Sequence, residues 1–224
     1  MNIIKTHGIV LKRTNYGEAD RIVQILTPEY GKISMMAKGV RKEKSKLAQA
    51  IELFSISEFV IRQGKREIYI LTSARLNTFY RHILETYSRL EFSYEIVKKM
   101  SRVSEHLREP QLYNILEITL ENLNNTSIDE RITRAWAYLQ LADIQGRGLN
   151  LSRDTNNHAL QVESSYRFDI AEMSFIKDSH GPFHAEHLKL LKILKLKTPD
   201  IIAHVSGIED YLDACVSLAQ ATAE

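Results

Sequence analysis

The sequence predicts an α+β protein in which an N-terminal five-stranded barrel of the OB type precedes an all-helical domain with an irregular insertion. The first observation is that apolar and polar residues alternate with a period of two between Gly8 and Leu53, which is typical of half-buried strands. The second is that this period lengthens to three or four residues after Ser73, as in amphipathic helices. We therefore expect a barrel domain at residues 1–76 and a helical domain at residues 77–224.

The barrel is predicted from five short apolar segments, at residues 9–11, 22–26, 33–37, 56–62 and 67–71. Pro28 and Gly31 favour a turn between the second and third segments, because Pro fixes φ and Gly can adopt a positive φ. The Gln-Gly-Lys sequence at 63–65 predicts another hairpin between the fourth and fifth. Short strands in so few residues cannot leave long edges exposed, which favours a small, partly closed barrel.

Helical periodicity begins the second domain. The first helix should bury one face, made by Phe79, Ile83, Tyr87, Leu90, Tyr94 and Val97. A second helix is expected over residues 112–123, with one buried face made by Leu112, Ile115, Leu116, Thr119, Leu120 and Leu123. Asp129 is a suitable N-cap for a third helix that ends before Gly146. These helices should pack as a bundle.

The periodicity fades at residues 149–185, where we expect an irregular insertion with two short strands. Further helices are predicted at residues 186–196, after Pro199, and at residues 208–219. The last helix carries Cys215 on its apolar face, where a buried and unreactive thiol is expected.

Charge is unevenly distributed along the chain, although the total is only +2. The first 80 residues contain 14 Lys and Arg against 7 Asp and Glu, whereas the remaining residues contain 16 against 21. The basic part therefore favours a nucleic-acid partner or a charged membrane surface. One cysteine excludes an internal disulfide, and no apolar run approaches the roughly 18 residues of a membrane span, so we expect a cytoplasmic protein.

The strongest candidate for a binding site is residues 38–46, here called the basic loop, which holds five cations and one anion. Such a loop between barrel strands can neutralise phosphates, and Gly39 allows a close approach of the backbone. A flexible, solvated loop is the alternative. Few aromatic residues accompany it, which predicts binding without sequence readout. The candidate DNA-binding residues are Lys38, Arg41, Lys42, Lys44, Lys46, Lys12, Arg13, Arg21 and Lys32, and Lys65 and Arg66 add charge to the same domain.

Four motifs in this domain resemble the N-terminal domain of the RecO family of bacterial recombination mediators. They are GIVLK at 8–12, YGEADR at 16–21, LTPEYGK at 26–32 and AKGVRK at 37–42. The resemblance implies a non-enzymatic DNA-repair protein that binds single- and double-stranded DNA and anneals complementary strands. It also implies RecR as a partner, contact with the C-terminal tail of single-stranded DNA-binding protein, and help in RecA loading in the RecF pathway, in the cytoplasm and near the nucleoid.

The insertion departs from this family, whose members often carry a zinc ribbon built from two CxxC pairs. Asp154 and Asn157, and His184 and His187, occupy roughly these places here, and the insertion contains no cysteine. Since structural zinc sites use Cys and His, we expect no metal and no other cofactor. A residual site would use His184, His187 and Asp154, with His158 or His180 as further ligands.

Two alternatives come from other functional classes. A basic OB-type barrel also suits an RNA-binding or translation-associated protein. Asp178, His180, His184 and His187 suggest a metal-dependent hydrolase, but no HExxH motif is present, and Gly181 and Pro182 interrupt the helix that would align them. The P-loop pattern is also absent, so any ATP-driven step would belong to a partner.

Overall fold

A computed structural model describes residues 3–43, 45, 47–64 and 68–224 of this chain. The chain divides into two compact units, Met1–Asn124 and Asn125–Glu224. The first unit extends beyond the barrel domain expected at residues 1–76, because the first two helices pack against barrel strands. This division therefore follows tertiary packing rather than the change from strand to helix.

Five strands form a closed barrel in the first unit, in the order β1-β2-β3-β5-β4. Neighbouring strands are antiparallel except for β3 and β5, and the pairing of β1 with β4 closes the barrel. This barrel, followed by helices, confirms the predicted α+β class. The strands are β1 (Ile3–Tyr16), β2 (Asp20–Thr27), β3 (Gly31–Ala37), β4 (Ser55–Arg62) and β5 (Tyr69–Phe79).

The alternating apolar residues fill the barrel interior. Val23 and Ile25 on β2, Met35 on β3, and Phe59 and Ile61 on β4 are all fully buried in one cluster. Side chains two residues apart point to the same face of a strand, so a period of two delivers one apolar face to the core. The hydrophobic pattern thus determines which face of each strand points inward.

The strand pairings of both predicted hairpins are confirmed, since β2 pairs with β3 and β4 pairs with β5. Lys65 of the predicted second turn lies outside the described residues. Gly31 has a φ of 64° at the β2–β3 turn, a conformation that glycine adopts at little cost. Two strands are longer than their apolar segments: β1 spans 14 residues and β5 continues to Phe79. Their polar ends still find ladder partners, which hydrophobicity alone does not reveal.

Two helices complete the first unit, α1 (Tyr87–Val103) and α2 (Pro110–Asn124). All the predicted core positions of α2 are buried. The predicted face of α1 is wrong in part, because Phe79 belongs to β5 and Tyr87 and Tyr94 are exposed. A short 3-10 segment at Arg81–Glu85 separates strand from helix, so the periodicity of α1 starts later than expected. Its buried residues are Arg89, Phe92, Ser93, Ile96, Val97 and Met100.

Four helices belong to the second unit: α3 (Glu130–Ile144), α4 (Ala185–Leu196), α5 (Pro199–Ile202) and α6 (Leu212–Thr222). Asp129 caps α3 as predicted, since its side chain accepts a hydrogen bond of 2.9 Å from the Arg131 backbone N–H. The Arg131 guanidinium also bonds Asp213 at 3.1 Å, which joins the start of α3 to the first turn of α6. Within the described part of the chain, no helix is long and apolar enough to cross a membrane.

The insertion contains the two expected short strands, β6 (Tyr166–Asp169) and β7 (Ser174–Lys177), paired antiparallel. Phe175 is fully buried, and the rings of Tyr166, Phe168 and Phe183 contact it edge-on at centroid distances between 5.2 and 6.2 Å. This aromatic cluster gives the irregular segment a small core of its own.

Candidate nucleic-acid interface

The first residues of the basic loop are fastened to the turn between β1 and β2. The Gly39 backbone N–H donates to the Asp20 carboxylate at 2.7 Å, and the Arg41 backbone N–H donates to the Ala19 carbonyl at 2.9 Å. The Arg41 guanidinium also donates to the Gly17 carbonyl at 3.2 Å. Gly39 has a φ of 64°, so a side chain at this position would strain the turn. The start of the loop is therefore an ordered turn rather than a freely moving chain.

This anchoring leaves the cationic side chains of the turn in solvent. Lys38, Arg41 and Lys42 are exposed, whereas Val40 between them is buried and inserts into the barrel core. Among the described residues, none of these three cations has an acidic partner within 4.0 Å. Their charge is thus available to an external anion. Two further candidates, Lys44 and Lys46, lie outside the described residues, as do Lys65 and Arg66, which add charge to the same domain.

Lys32 has partners within the protein that the sequence did not indicate. Its ammonium donates to the Ser101 carbonyl, the Ser101 hydroxyl and the Glu105 carboxylate, each at 2.9 Å. A lysine ammonium has three N–H donors, so this arrangement uses all of them. The side chain is only 11% exposed. The structure thus gives Lys32 a structural role in joining β3 to α1. The same bond holds the pKa of Glu105 below its ordinary value.

Arg13 is also occupied, by an ion pair with Glu52. Arg21 is half-buried, and its guanidinium donates to the Asn15 side chain at 3.1 Å. Arg21 lies directly opposite Ala37 in the β2–β3 ladder, which places it next to the first residue of the basic loop. Of these two arginines, Arg21 is the better placed to contribute to a surface centred on the loop.

Lys12 lies on a different part of the surface from the basic loop. It is exposed and lines a groove of about 510 Å³ between the barrel and α1. The same groove is lined by Lys98 and Arg102, which lie one turn apart on α1 and are also exposed. Glu105 lines it too, but this carboxylate is bound to Lys32. We call Lys12, Lys98 and Arg102 the groove cations.

Sequence reasoning missed the cations of α1, because it assigned the helical part an acidic character as a whole. The four-residue spacing of Lys98 and Arg102 was the only available signal, since such residues share one side of a helix. Arg62 was missed as well. It lines a pocket of about 540 Å³ together with Lys38, beside the apolar side chains of Ile68 and Ile70.

The 16–21 motif acts as the support of the basic loop. Asp20 accepts the Gly39 N–H, and the carbonyls of Gly17 and Ala19 accept hydrogen bonds from Arg41. Asp20 and Arg21, which could have paired with each other, have different partners in the structure. The motif and the loop that follows β3 are thus parts of one hydrogen-bonded arrangement.

Asp154 fills a structural position in the insertion. Its carboxylate accepts backbone N–H groups from Asn156 and His158 at 2.9 and 2.8 Å and so stabilises a tight turn. Asn157 completes this turn with a φ of 66°.

The candidate histidines contact aromatic residues and each other at the start of α4. His187 is 8% exposed, and its burial lowers its pKa. Its ring accepts a hydrogen bond from the His184 backbone N–H and packs edge-on against Tyr211. His184 is exposed, and its ring lies 3.0 Å from the Ser165 hydroxyl. In the described ranges, no three His, Cys, Asp or Glu side chains converge in a way that could hold a metal ion. The hydrolase alternative therefore gains no support from this geometry.

Comparison with known proteins agrees with the motifs of the barrel. Residues 1–80 match the family described as Recombination protein O N terminal. The DNA repair protein RecO of Dehalococcoides mccartyi strain 195 is 34% identical over 156 residues, which cover 69% of this chain and 60% of that protein. RecO of Alkaliphilus metalliredigens is 33% identical over 64% of this chain and 58% of its own length.

A longer alignment is found with RecO of Bacillus pumilus, 29% identical over 78% of this chain and 67% of that protein. The chain thus spans about 60% of the length of the first two relatives. All three matches carry the same name and extend beyond the barrel into the helices. The barrel at residues 1–80 therefore belongs to the RecO family, and the helical part that these matches reach is similar to the same DNA repair proteins.

Proposed function

We propose that this RecO-like protein binds single- and double-stranded DNA through the basic loop and anneals complementary strands during recombinational repair. The observation that carries the proposal is the anchored turn, in which Lys38, Arg41 and Lys42 are exposed without an acidic partner among the described residues. Three unpaired cations held on a fixed turn repel one another, and a polyanion relieves this repulsion. The groove cations provide a second basic surface in the same unit.

Annealing by such a surface needs charge neutralisation rather than bond chemistry. Two DNA strands repel each other through their phosphates, and bound cations lower that repulsion while releasing counterions. The Arg41 guanidinium can present a fork to one phosphate, whereas Lys38 and Lys42 act as point charges. Large exposed aromatic side chains in the barrel are few, with Tyr16 and Tyr30 about half exposed. Base stacking is therefore a minor contribution, and sequence preference should be weak.

The wider role follows from the family. We propose that the protein works with RecR, contacts the C-terminal tail of single-stranded DNA-binding protein, and assists RecA loading in the RecF pathway. The relatives are named as DNA repair proteins. The proposed mechanism requires no covalent step, metal or cofactor from this chain, so any ATP hydrolysis belongs to a partner.

The test is a fluorescence annealing assay with two complementary oligonucleotides, without ATP, over a range of salt concentrations. The protein should accelerate annealing at low salt, and the acceleration should fade as salt rises. Intact DNA binding without acceleration would contradict the annealing role. RNA oligonucleotides form the second arm, and faster annealing or tighter binding of RNA than of DNA would favour an RNA-binding protein.

A further inference from the structure

The first unit contains a cleft lined by acidic side chains, whose charge is opposite to that of the basic loop. It lies between β1, β5 and α2 and encloses about 460 Å³. Its walls carry carboxylates, phenols, an amide, an imidazole and the Thr78 hydroxyl, beside the apolar side chains of Pro28 and Ile56. The other polar lining residues are His7, Asn77, Tyr80, Tyr113, Glu117 and Glu121.

Two glutamates of α2 define the charge of this cleft. Glu117 and Glu121 are four residues apart, which places them on the same side of the helix. Neither has a Lys or Arg partner within the described residues. The pKa of Glu117 is raised, first by its burial and then by the negative charge of Glu121. Two neighbouring carboxylates that repel each other favour a cationic ligand between them.

Tyr80 supplies an independent observation. Its side chain lines the cleft and is 6% exposed, yet its hydroxyl has no hydrogen-bond partner among the described residues. Burial raises the pKa of Tyr80, and the negative charges of Glu117 and Glu121, which line the same cleft, raise it further. The hydroxyl oxygen itself is not fully buried, so a ligand in the cleft can reach it.

A second phenol lies beside the first. Tyr113 is also 6% exposed, and its hydroxyl is 3.5 Å from a Glu117 oxygen, at the limit of a hydrogen bond. On the opposite wall, the Asn77 amide and the His7 ring are 3.4 Å apart. The cleft thus combines two carboxylates, two phenol rings and an amide, all facing a space large enough for a side chain.

We propose that this cleft binds the guanidinium group of an arginine side chain presented by a protein partner. A guanidinium has five N–H donors in a plane, which suits acceptors spread over several walls better than the three donors of an ammonium. It is more weakly hydrated than an ammonium and stacks on aromatic rings, so entry into a half-buried cleft beside Tyr80 and Tyr113 costs less. The bound cation would separate Glu117 from Glu121 and meet the Tyr80 hydroxyl.

The site is independent of the proposed DNA contacts, because its charge repels phosphates. It would therefore recruit a basic protein segment without competing with DNA for the basic loop. This gives the two surfaces of the first unit different ligands, an anion at the loop and a cation at the cleft.

The experiment is a titration of the full ¹⁵N-labelled chain with N-acetyl-arginine amide, followed by backbone amide shifts. We expect saturable shifts centred on the α2 residues 113–121. N-acetyl-citrulline amide, which has a similar shape but no charge, should give none. Saturable shifts with the citrulline probe would overturn the proposal. It would also be overturned if spermidine, in competition, bound the cleft more tightly than the arginine probe does.

Three variants locate the site. The double variant Glu117→Gln, Glu121→Gln should bind the arginine probe at least about tenfold more weakly, because charge-assisted hydrogen bonds are lost. Tyr80→Phe removes one oxygen from a well-packed ring and should weaken binding several-fold. Glu91→Gln on the exposed side of α1 is the matched control and should bind like the wild type. Unchanged binding in both the double variant and Tyr80→Phe would refute the site.

Discussion

Removal of the three exposed cations of the anchored turn should reduce the salt dependence of DNA binding. The variant is Lys38→Ala, Arg41→Ala and Lys42→Ala, and each side chain is exposed without an acidic partner in the described part of the chain. If each cation neutralises one phosphate, the slope of log K against log salt should become shallower by about 2.7 on duplex DNA and about 2 on single strands. Between about 50 and 200 mM salt, the variant should then lose about 40-fold less affinity for duplex than the wild type.

The assay is fluorescence anisotropy with labelled duplex and single-stranded oligonucleotides at several salt concentrations. The matched control is a triple variant that removes the same net charge from exposed lysines on or just after α4, with the substitutions Lys189→Ala, Lys192→Ala and Lys197→Ala. The control should keep the wild-type slope. Equal slopes for the wild type and the loop variant would refute the phosphate contacts, and equal losses in both variants would show that only net charge matters.

Three further predictions concern the supports of this surface and the buried thiol. Asp20→Ala removes the 2.7 Å hydrogen bond to Gly39 and should lower the free energy of unfolding by about 1–2 kcal/mol, as measured by urea unfolding. DNA binding, measured by anisotropy, should also weaken although every cation remains. Full DNA affinity in this variant would contradict the anchoring role of Asp20. Lys32→Met should lower the melting temperature but keep the DNA salt slope. Lys32 holds the pKa of Glu105 in the folded protein below its ordinary value of 4.5, so the variant's loss of stability should have its full size above pH 4.5. The loss should shrink as the pH falls through the lowered pKa of the folded protein. A loss that stays constant as the solution is acidified would contradict the ion pair. Burial raises the pKa of the Cys215 thiol to about 12. A thiol reagent at mildly alkaline pH should therefore label this residue only when the protein is unfolded in urea. Rapid labelling of the native protein would contradict the burial of Cys215.

Regular elements with strong periodicity were predictable from local sequence. The alternation of β2 and β3 and the apolar stripe of α2 were predicted and confirmed, because burial on one face imposes a fixed period on the residues. The start of α1 was not, since Phe79 fits a helical period yet lies in β5. Its place in the strand depends on a ladder pairing with Ser55, which lies 24 positions earlier.

The sequence by itself determined the class of fold, the uneven charge and the motifs of the family, because these depend on residue type and short spacing. Tertiary structure decided which cations are available to a ligand. Lys32 and Lys38 have the same charge, but Lys32 donates to Ser101 on α1 and to Glu105 just after it, about 70 positions away in sequence, whereas Lys38 lies in solvent. It also brought Tyr80 next to Glu117 and Glu121. The availability of a charge depends on what lies across from it in space, and only the folded chain determines those neighbours.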